Sequence, residues 1–224
     1  MPFHNRADAG RRLARALAHH SRESVVVLAL PRGGVPVAAE VASALNAPLD
    51  LLLVRKIGYP PQPELAMGAV VDGNTSIIVR NEDVIGAANV SEAEFDRVCR
   101  KELAEIERRS RCYLGGRKTV DIEARTVIVI DDGLATGATM RAALRALRQR
   151  NPKTIVLAVP VAPTETLEEM RRLADEVVCH EDYLFLGAIG AYYDDFRQVT
   201  DEEVVTRLAR FATWTSASTK SGPD

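Results

Sequence analysis

The chain of 224 residues suits one large domain or two small ones, and its 46% apolar content excludes wholesale disorder. With 29 Lys+Arg against 31 Asp+Glu the net charge is −2, which excludes a polycation built to grip nucleic-acid backbones. The longest uncharged runs, 154–164 and 183–193, are far shorter than the roughly 20 apolar residues a membrane helix needs.

Helical periodicity predicts a first helix over Arg6–His20, rich in Arg and without the apolar core of a secretory signal. A Val/Leu run, Ser24–Leu30, follows as a strand, then a turn containing Arg32-Gly33-Gly34 and a helix over Val35–Leu45. Leu49–Val54 reads as the next strand, with weaker ones at Ala66–Val71 and Ser76–Val79. The segment from Gly58 to Gly73 holds three prolines, Pro60, Pro61 and Pro63. Half of residues 91–118 are charged, yet Phe95, Val98, Cys99, Leu103 and Ile106 form an apolar stripe, so Ser91–Tyr113 is expected to be a solvated helix packed by one face, with a lid or a subunit contact as the alternative. Strands at Thr126–Ile130 and Thr154–Pro160, with a weaker one at Glu176–Cys179, alternate with helices at Thr139–Arg150, Thr166–Ala174 and Asp201–Phe211. Capping boxes are expected at Ser91…Glu94, Thr166…Glu169 and Thr200…Glu203.

Continuous Val/Ile/Leu runs alternating with helices predict an α/β fold, a mostly parallel twisted sheet covered on both faces. One domain is expected over 1–214, with a frayed polar tail at 215–224. Three cysteines without ligand or CxxC spacing read as reduced thiols of a cytoplasmic protein. His180, between Cys179 and Glu181-Asp182, is read as a loop residue, because consecutive residues cannot close a tetrahedral metal site. Aromatic residues are skewed: seven of 11, from Tyr183 to Trp214, lie in the last 42 residues.

The run VIVIDDGLATGAT (127–139) carries the chemistry. A buried strand, two acids and a Gly/Thr-rich turn opening a helix present backbone N–H groups to an anion. It lacks the GK[ST] of a P-loop and the GxGxxG of a dinucleotide site. The paired carboxylates, which would repel a phosphate, suit a ribose diol or a sugar carrying developing positive charge.

That run resembles the shared motif of the type I phosphoribosyltransferases, departing from it at Gly133, where a branched aliphatic is usual. The late run YYDDFRQVTDEEV (192–204), with PRGG, RKIG and PELAMGAV, resembles a predicted phosphoribosyltransferase branch. The resemblance implies that fold, with a small C-terminal hood at about 180–200 and a mobile flap from Gly58 to Gly73, within a region of 55–80. It implies that Asp131 and Asp132 hold the ribose hydroxyls of phosphoribosyl pyrophosphate (PRPP), and that Ala135, Thr136, Gly137, Ala138 and Thr139 wrap its 5′-phosphate. Arg32, Gly33, Gly34 and Arg55 would face pyrophosphate, with Lys56 as a catalytic cation. Mg²⁺ would be held mainly by PRPP itself. Tyr192, Tyr193 and Phe196 of the hood would stack on a purine or pyrimidine base. Ala135 replaces the acid of 6-oxopurine enzymes, and the loop is nearer the adenine form, although uracil enzymes share LATG. The implied activity is transfer of phosphoribosyl from PRPP to a base in nucleotide salvage. The alternative is a PRPP-sensing or nucleotide-binding protein without turnover. Family habit implies a homodimer.

Overall fold

The computed structural model describes residues 3–72, 76–117 and 119–211. Five strands form a wholly parallel sheet: β1 (Val25–Ala29), β2 (Leu49–Leu51), β6 (Thr126–Ile130), β7 (Thr154–Pro163) and β8 (Glu176–Tyr183), in the order β2-β1-β6-β7-β8. Successive residues of the central strands face opposite cores. Val25, Val27 and Ala29 join one apolar cluster with Ile128 and Ile130, while Val26 and Leu28 join the other with Val127 and Val129. This two-sided burial is what unbroken aliphatic runs require. The first cluster is covered by α1 (Arg6–Ala16), α2 (Gly34–Leu45), α4 (Glu92–Leu114) and α7 (Asp201–Ala209). The second lies beneath α5 (Ala138–Arg148) and α6 (Thr164–Met170).

The predicted strand Leu49–Val54 divides. Leu51 ends β2, and Leu52 and Leu53, both buried, turn into the two opposite cores. The chain then enters a second, antiparallel sheet, β3 (Val54–Tyr59), β4 (Gln62–Val71) and β5 (Ile77–Arg80). The weaker strand predictions at 66–71 and 76–79 therefore belong to this separate sheet, and the expected flap loop is largely the β3–β4 hairpin. Gly73 lies outside the described residues, as do Trp214 and the tail. A short helix, α3 (Glu82–Ala87), has no counterpart in the sequence reading.

Helix α1 is shorter than its periodicity suggested, and a 3-10 turn, Ala18–Arg22, follows it. The stripe on α4 packs as expected: Phe95, Cys99 and Ile106 are buried, with Val98 and Leu103 against the same core. Ser91 caps α4, accepting from the Glu94 N–H, and Thr200 with Glu203 completes a full capping box on α7. The box at Thr166…Glu169 does not form, because α6 starts two residues earlier and Thr166 lies inside it. Among the described residues no helix is long and apolar enough to cross a membrane.

Candidate active site

The C-terminal ends of β1 and β6 bring two glycine-containing turns side by side. Asp131 and Asp132 follow β6 directly, and Gly33-Gly34 lie against them. A side-chain carbon on Gly34 would fall 2.6 Å from the Ile130 carbonyl oxygen and 3.0 Å from Asp131 Cα. One on Gly33 would fall 2.0 Å from Asp132 Oδ2. The glycines thus let the turn's backbone touch the acid pair. The Pro31–Arg32 peptide in this turn is cis.

The loop from Ala135 to Thr139 is held from outside by its carbonyls. Tyr193 Oη donates to the Asp132 carbonyl at 2.6 Å, Thr166 Oγ1 to Ala135 O at 3.0 Å, and the Arg141 N–H to Gly137 O at 2.8 Å. Among the described residues no hydrogen bond is donated by the backbone N–H groups of 135–139. At Gly137, which caps α5, φ is +67°, a left-handed conformation that glycine adopts without steric cost. Thr166, read from sequence as a helix cap, instead braces this loop. The outcome is a turn that opens an 11-residue helix, a geometry that favours an anion.

The acids differ in surroundings. Asp132 Oδ2 accepts from Arg6 Nε at 2.7 Å, with both side chains nearly buried. Asp131 Oδ1 accepts the Asp132 N–H at 2.9 Å. Burial holds the Asp131 carboxyl well above the usual carboxylate range, and the Asp132 charge raises it further.

A cleft of about 260 Å³ joins Leu30 and Pro31 of the first turn, Arg55 of β3, Asp131 and Thr139. Arg109, from α4, lines it too. Glu102 holds Arg55 through an Nε–Oε2 contact of 2.8 Å, and Glu105 holds Arg109 at the same distance. Beside this cleft lies a wider depression of about 660 Å³ between the β3–β4 hairpin and α4, lined by Arg55, Lys56, Arg97 and Lys101, with Glu64 and Glu102. Lys56 lines this depression and bonds to Glu64 at 3.1 Å. Arg32 reaches away to Asp201, 3.5 Å distant, which also accepts the Tyr113 hydroxyl at 2.7 Å. Burial, helped by that bond, pushes the Tyr113 hydroxyl up to about 12.

The aromatic residues of the expected hood pack against Phe3 and Arg6, from near the start of the chain. Phe3 pairs with Tyr193 as an isolated parallel bridge, and their rings lie 5.3 Å apart. Tyr193 is buried, with Phe196 4.9 Å away on centroids, and the Arg6 guanidinium covers Phe196 at 3.8 Å. Burial, then the charge of Asp132, raises the Tyr193 hydroxyl. Tyr192 packs on Tyr183 at 4.6 Å, while Leu184 and Phe185 stand 80% and 93% exposed. The hood also explains Gly133: a side-chain carbon there would lie 2.6 Å from Ile189 Cγ2 and 3.0 Å from Val161 Cγ1. Ile189 fills the volume that a branched residue at 133 would take.

A model of the phosphoribosyl transferase domain matches residues 3–195. The chain belongs to the phosphoribosyl transferase domain family. A Mycobacterium tuberculosis protein named "Putative phosphoribosyl transferase Rv0571c" is 46% identical over 208 residues, which cover 93% of this chain and 46% of that one. The chain thus spans about half the length of the curated relatives it matches. A uracil phosphoribosyltransferase of Desulfitobacterium hafniense is 36% identical over 75 residues, 34% of either chain. Among solved structures, TT1426 of Thermus thermophilus superposes with a TM-score of 0.84 at 41% identity, over 94% of this chain and 99% of that one.

The domain's Asp131, Arg55 and Thr139 are thus gathered at one cleft, with Gly33 and Gly34 against the acid pair. Arg6, Arg109, Arg97 and Lys101 escaped the sequence reading. Arg6 sat in an Arg-rich start of a chain with 24 Arg to 5 Lys, where one more arginine carries no signal.

Proposed function

We propose that the domain transfers the phosphoribosyl group of PRPP to a ring nitrogen of a purine or pyrimidine base. The C1–oxygen bond to pyrophosphate breaks, the C1–nitrogen bond forms, and the nitrogen gives up a proton. One observation carries the reading: the Asp131 carboxyl, the Arg55 and Arg109 guanidinium groups and Thr139 of the Gly/Thr loop share a single cleft. The N–H groups and hydroxyls of 135–139 suit the 5′-phosphate. Asp131 and Asp132 suit the ribose as positive charge develops at C1. Arg55, Arg109 and the Gly33-Gly34 backbone suit the departing pyrophosphate, as charges fixed in advance. Arg32 would have to leave Asp201 to join them.

Asp131 is the one acid lining this cleft among the described residues, which fits a Mg²⁺ ion held mostly by the substrate's own oxygens. When bound, that ion would supply charge neutralisation on pyrophosphate. Tyr192 is the proposed stacking face for the base, with Tyr193 and Phe196 as the wall behind it.

The test is pyrophosphate release from Mg²⁺-PRPP across adenine, hypoxanthine, guanine, uracil and orotate. Release with at least one base is expected, adenine first, since Ala135 offers no acid to a 6-oxopurine. PRPP binding without release from any base would replace the reading by a PRPP sensor.

Lys56 is partnered only loosely. It is one-third exposed and Glu64 is 92% exposed, so their pair is worth at most about 1 kcal/mol. The lysine can therefore exchange Glu64 for pyrophosphate as charge builds on the leaving group. Lys56→Ala is expected to lower kcat roughly tenfold or more while changing PRPP affinity little. An unchanged kcat would remove Lys56 from the catalytic set.

A further inference from the structure

At the opposite edge of the sheet, near the N-terminal ends of the strands, two consecutive histidines converge on one carboxylate. His19 and His20 lie in the 3-10 turn between α1 and β1, and Glu176 opens the edge strand β8. His19 Nε2 is 3.1 Å from Glu176 Oε1, and His20 Nε2 is 3.0 Å from Glu176 Oε2. The three prospective ligand atoms lie within 4.8 Å of one another.

The other ring nitrogens also face acceptors. His19 Nδ1 is 3.1 Å from the Ala16 carbonyl oxygen, and His20 Nδ1 is 3.0 Å from Glu23 Oε1. Glu23 is itself fixed, its Oε2 accepting the Thr126 hydroxyl at 2.6 Å. A neutral imidazole has one N–H, so it can satisfy one of two acceptors. With protons alone, satisfying all four contacts requires two imidazolium rings whose centroids are 4.1 Å apart. Otherwise a nitrogen lone pair opposes an oxygen. A divalent cation between the two Nε2 atoms and Glu176 removes the conflict. Each imidazole then stays neutral and donates Nδ1–H outward, to a carbonyl in one case and a carboxylate in the other. That outer arrangement is the one that orients histidine ligands in metal sites.

We infer that His19, His20 and Glu176 form a binding site for a divalent transition metal of the Zn²⁺ class, separate from the catalytic cleft. Two imidazoles and a carboxylate suit Zn²⁺, with a fourth position left for water, and do not suit Mg²⁺. His20 is buried and Glu176 half-buried, so the ion would staple the turn before β1 to the edge strand. The metal would stabilise the fold by binding it in preference to the unfolded chain.

The test is calorimetric titration of the metal-stripped full chain with Zn²⁺, beside melting curves with and without the ion. Wild type is expected to bind one Zn²⁺ per chain in a phase that excess Mg²⁺ does not suppress, and to melt higher with Zn²⁺. Co²⁺ in its place should give the visible bands of a four-coordinate site. His19→Ala, at an exposed ring, and Glu176→Gln, of unchanged shape, should each weaken that phase at least tenfold while circular dichroism stays native. The double variant should lose both the phase and the melting shift. No Zn²⁺ binding by wild type overturns the inference. So does binding that the two substitutions leave unchanged, as uptake by Cys112 would be.

Discussion

Asp131→Asn is expected to make the domain more stable and far less active. The carboxyl at 131 is raised by burial and by the neighbouring Asp132 charge, so the folded state favours its protonated form. For an acid raised in this way, the stabilising contribution is complete below the ordinary Asp range, near 3.9, and is lost as pH climbs through the raised value. Above that value it is gone. Asparagine keeps a neutral group of the same shape at every pH, so the variant's Tm should exceed wild type at pH 7, by an excess that grows as pH rises from the ordinary Asp range. Near pH 3 the difference should close. Transfer should fall by roughly 100-fold or more in kcat/KM, because asparagine cannot take on the negative charge that a cationic ribose draws out of the carboxyl at 131.

Asp132→Asn should lose activity as well, but with the opposite sign in stability. It takes the carboxylate from Arg6, which is 9% exposed, and asparagine offers only a neutral acceptor in return. A loss of about 1–2 kcal/mol is expected. Calorimetric melting from pH 3 to 8, with pyrophosphate release on the same samples, measures both quantities. Wild-type kcat/KM in both variants would end the assignment of the acid pair, and a lower Tm for Asp131→Asn at pH 7 would refute the account of its burial.

Gly33→Ala is expected to be as damaging as losing an acid, although it adds one methyl and removes no chemical group. Gly33 has φ −61° and ψ −37°, angles any residue adopts, so its glycine is required for space alone. The added carbon would lie 2.0 Å from Asp132 Oδ2 and 2.5 Å from its Cγ. Asp132 cannot yield freely, since Arg6 holds it at 2.7 Å and Tyr193 holds its carbonyl at 2.6 Å. The first turn must therefore swing away from β6, or the acid must break from Arg6. Either movement displaces groups at the site, and a misplacement of about 1 Å costs roughly 100-fold in rate. Steady-state kinetics should show that loss, with the melting point lowered by about 1–3 kcal/mol equivalent and secondary structure intact. Wild-type turnover would mean that contact between the two turns is irrelevant to catalysis.

The legible parts of this protein were those in which a short segment carries its own reason. Thr126–Ile130 must be buried on both faces because it has no polar side to offer, and it is a central strand. The acids and the Gly/Thr turn after it sit at a helix start because strand, turn and helix follow in register. Leu49–Val54 misled because its uniform apolarity hides a break: Leu52 and Leu53 are buried in different cores, a distinction no local pattern records. Thr166 misled for a related reason. Its spacing to Glu169 imitates a cap, while its hydroxyl is committed to a loop 31 residues away.

The late cluster of aromatics shows the same division most plainly. From sequence, Tyr192, Tyr193 and Phe196 offered three equivalent rings for a flat base. In the fold, Phe3 and Arg6 arrive from the other end of the chain and enclose two of them. Tyr193 becomes a brace for the Asp132 carbonyl, and Phe196 becomes a platform for the guanidinium that holds the Asp132 carboxylate. Arg6, Arg109 and the His19–His20–Glu176 cluster likewise had no signal of their own. An arginine or histidine states its charge and donors but not its partner. The sequence by itself determined the parallel strands and the two turns at their ends, since those depend on neighbours a few residues apart. Which side chains orient the acids, line the cleft and close the far edge was decided only by tertiary structure, because those pairings span 47 to 157 residues along the chain and follow from strand order.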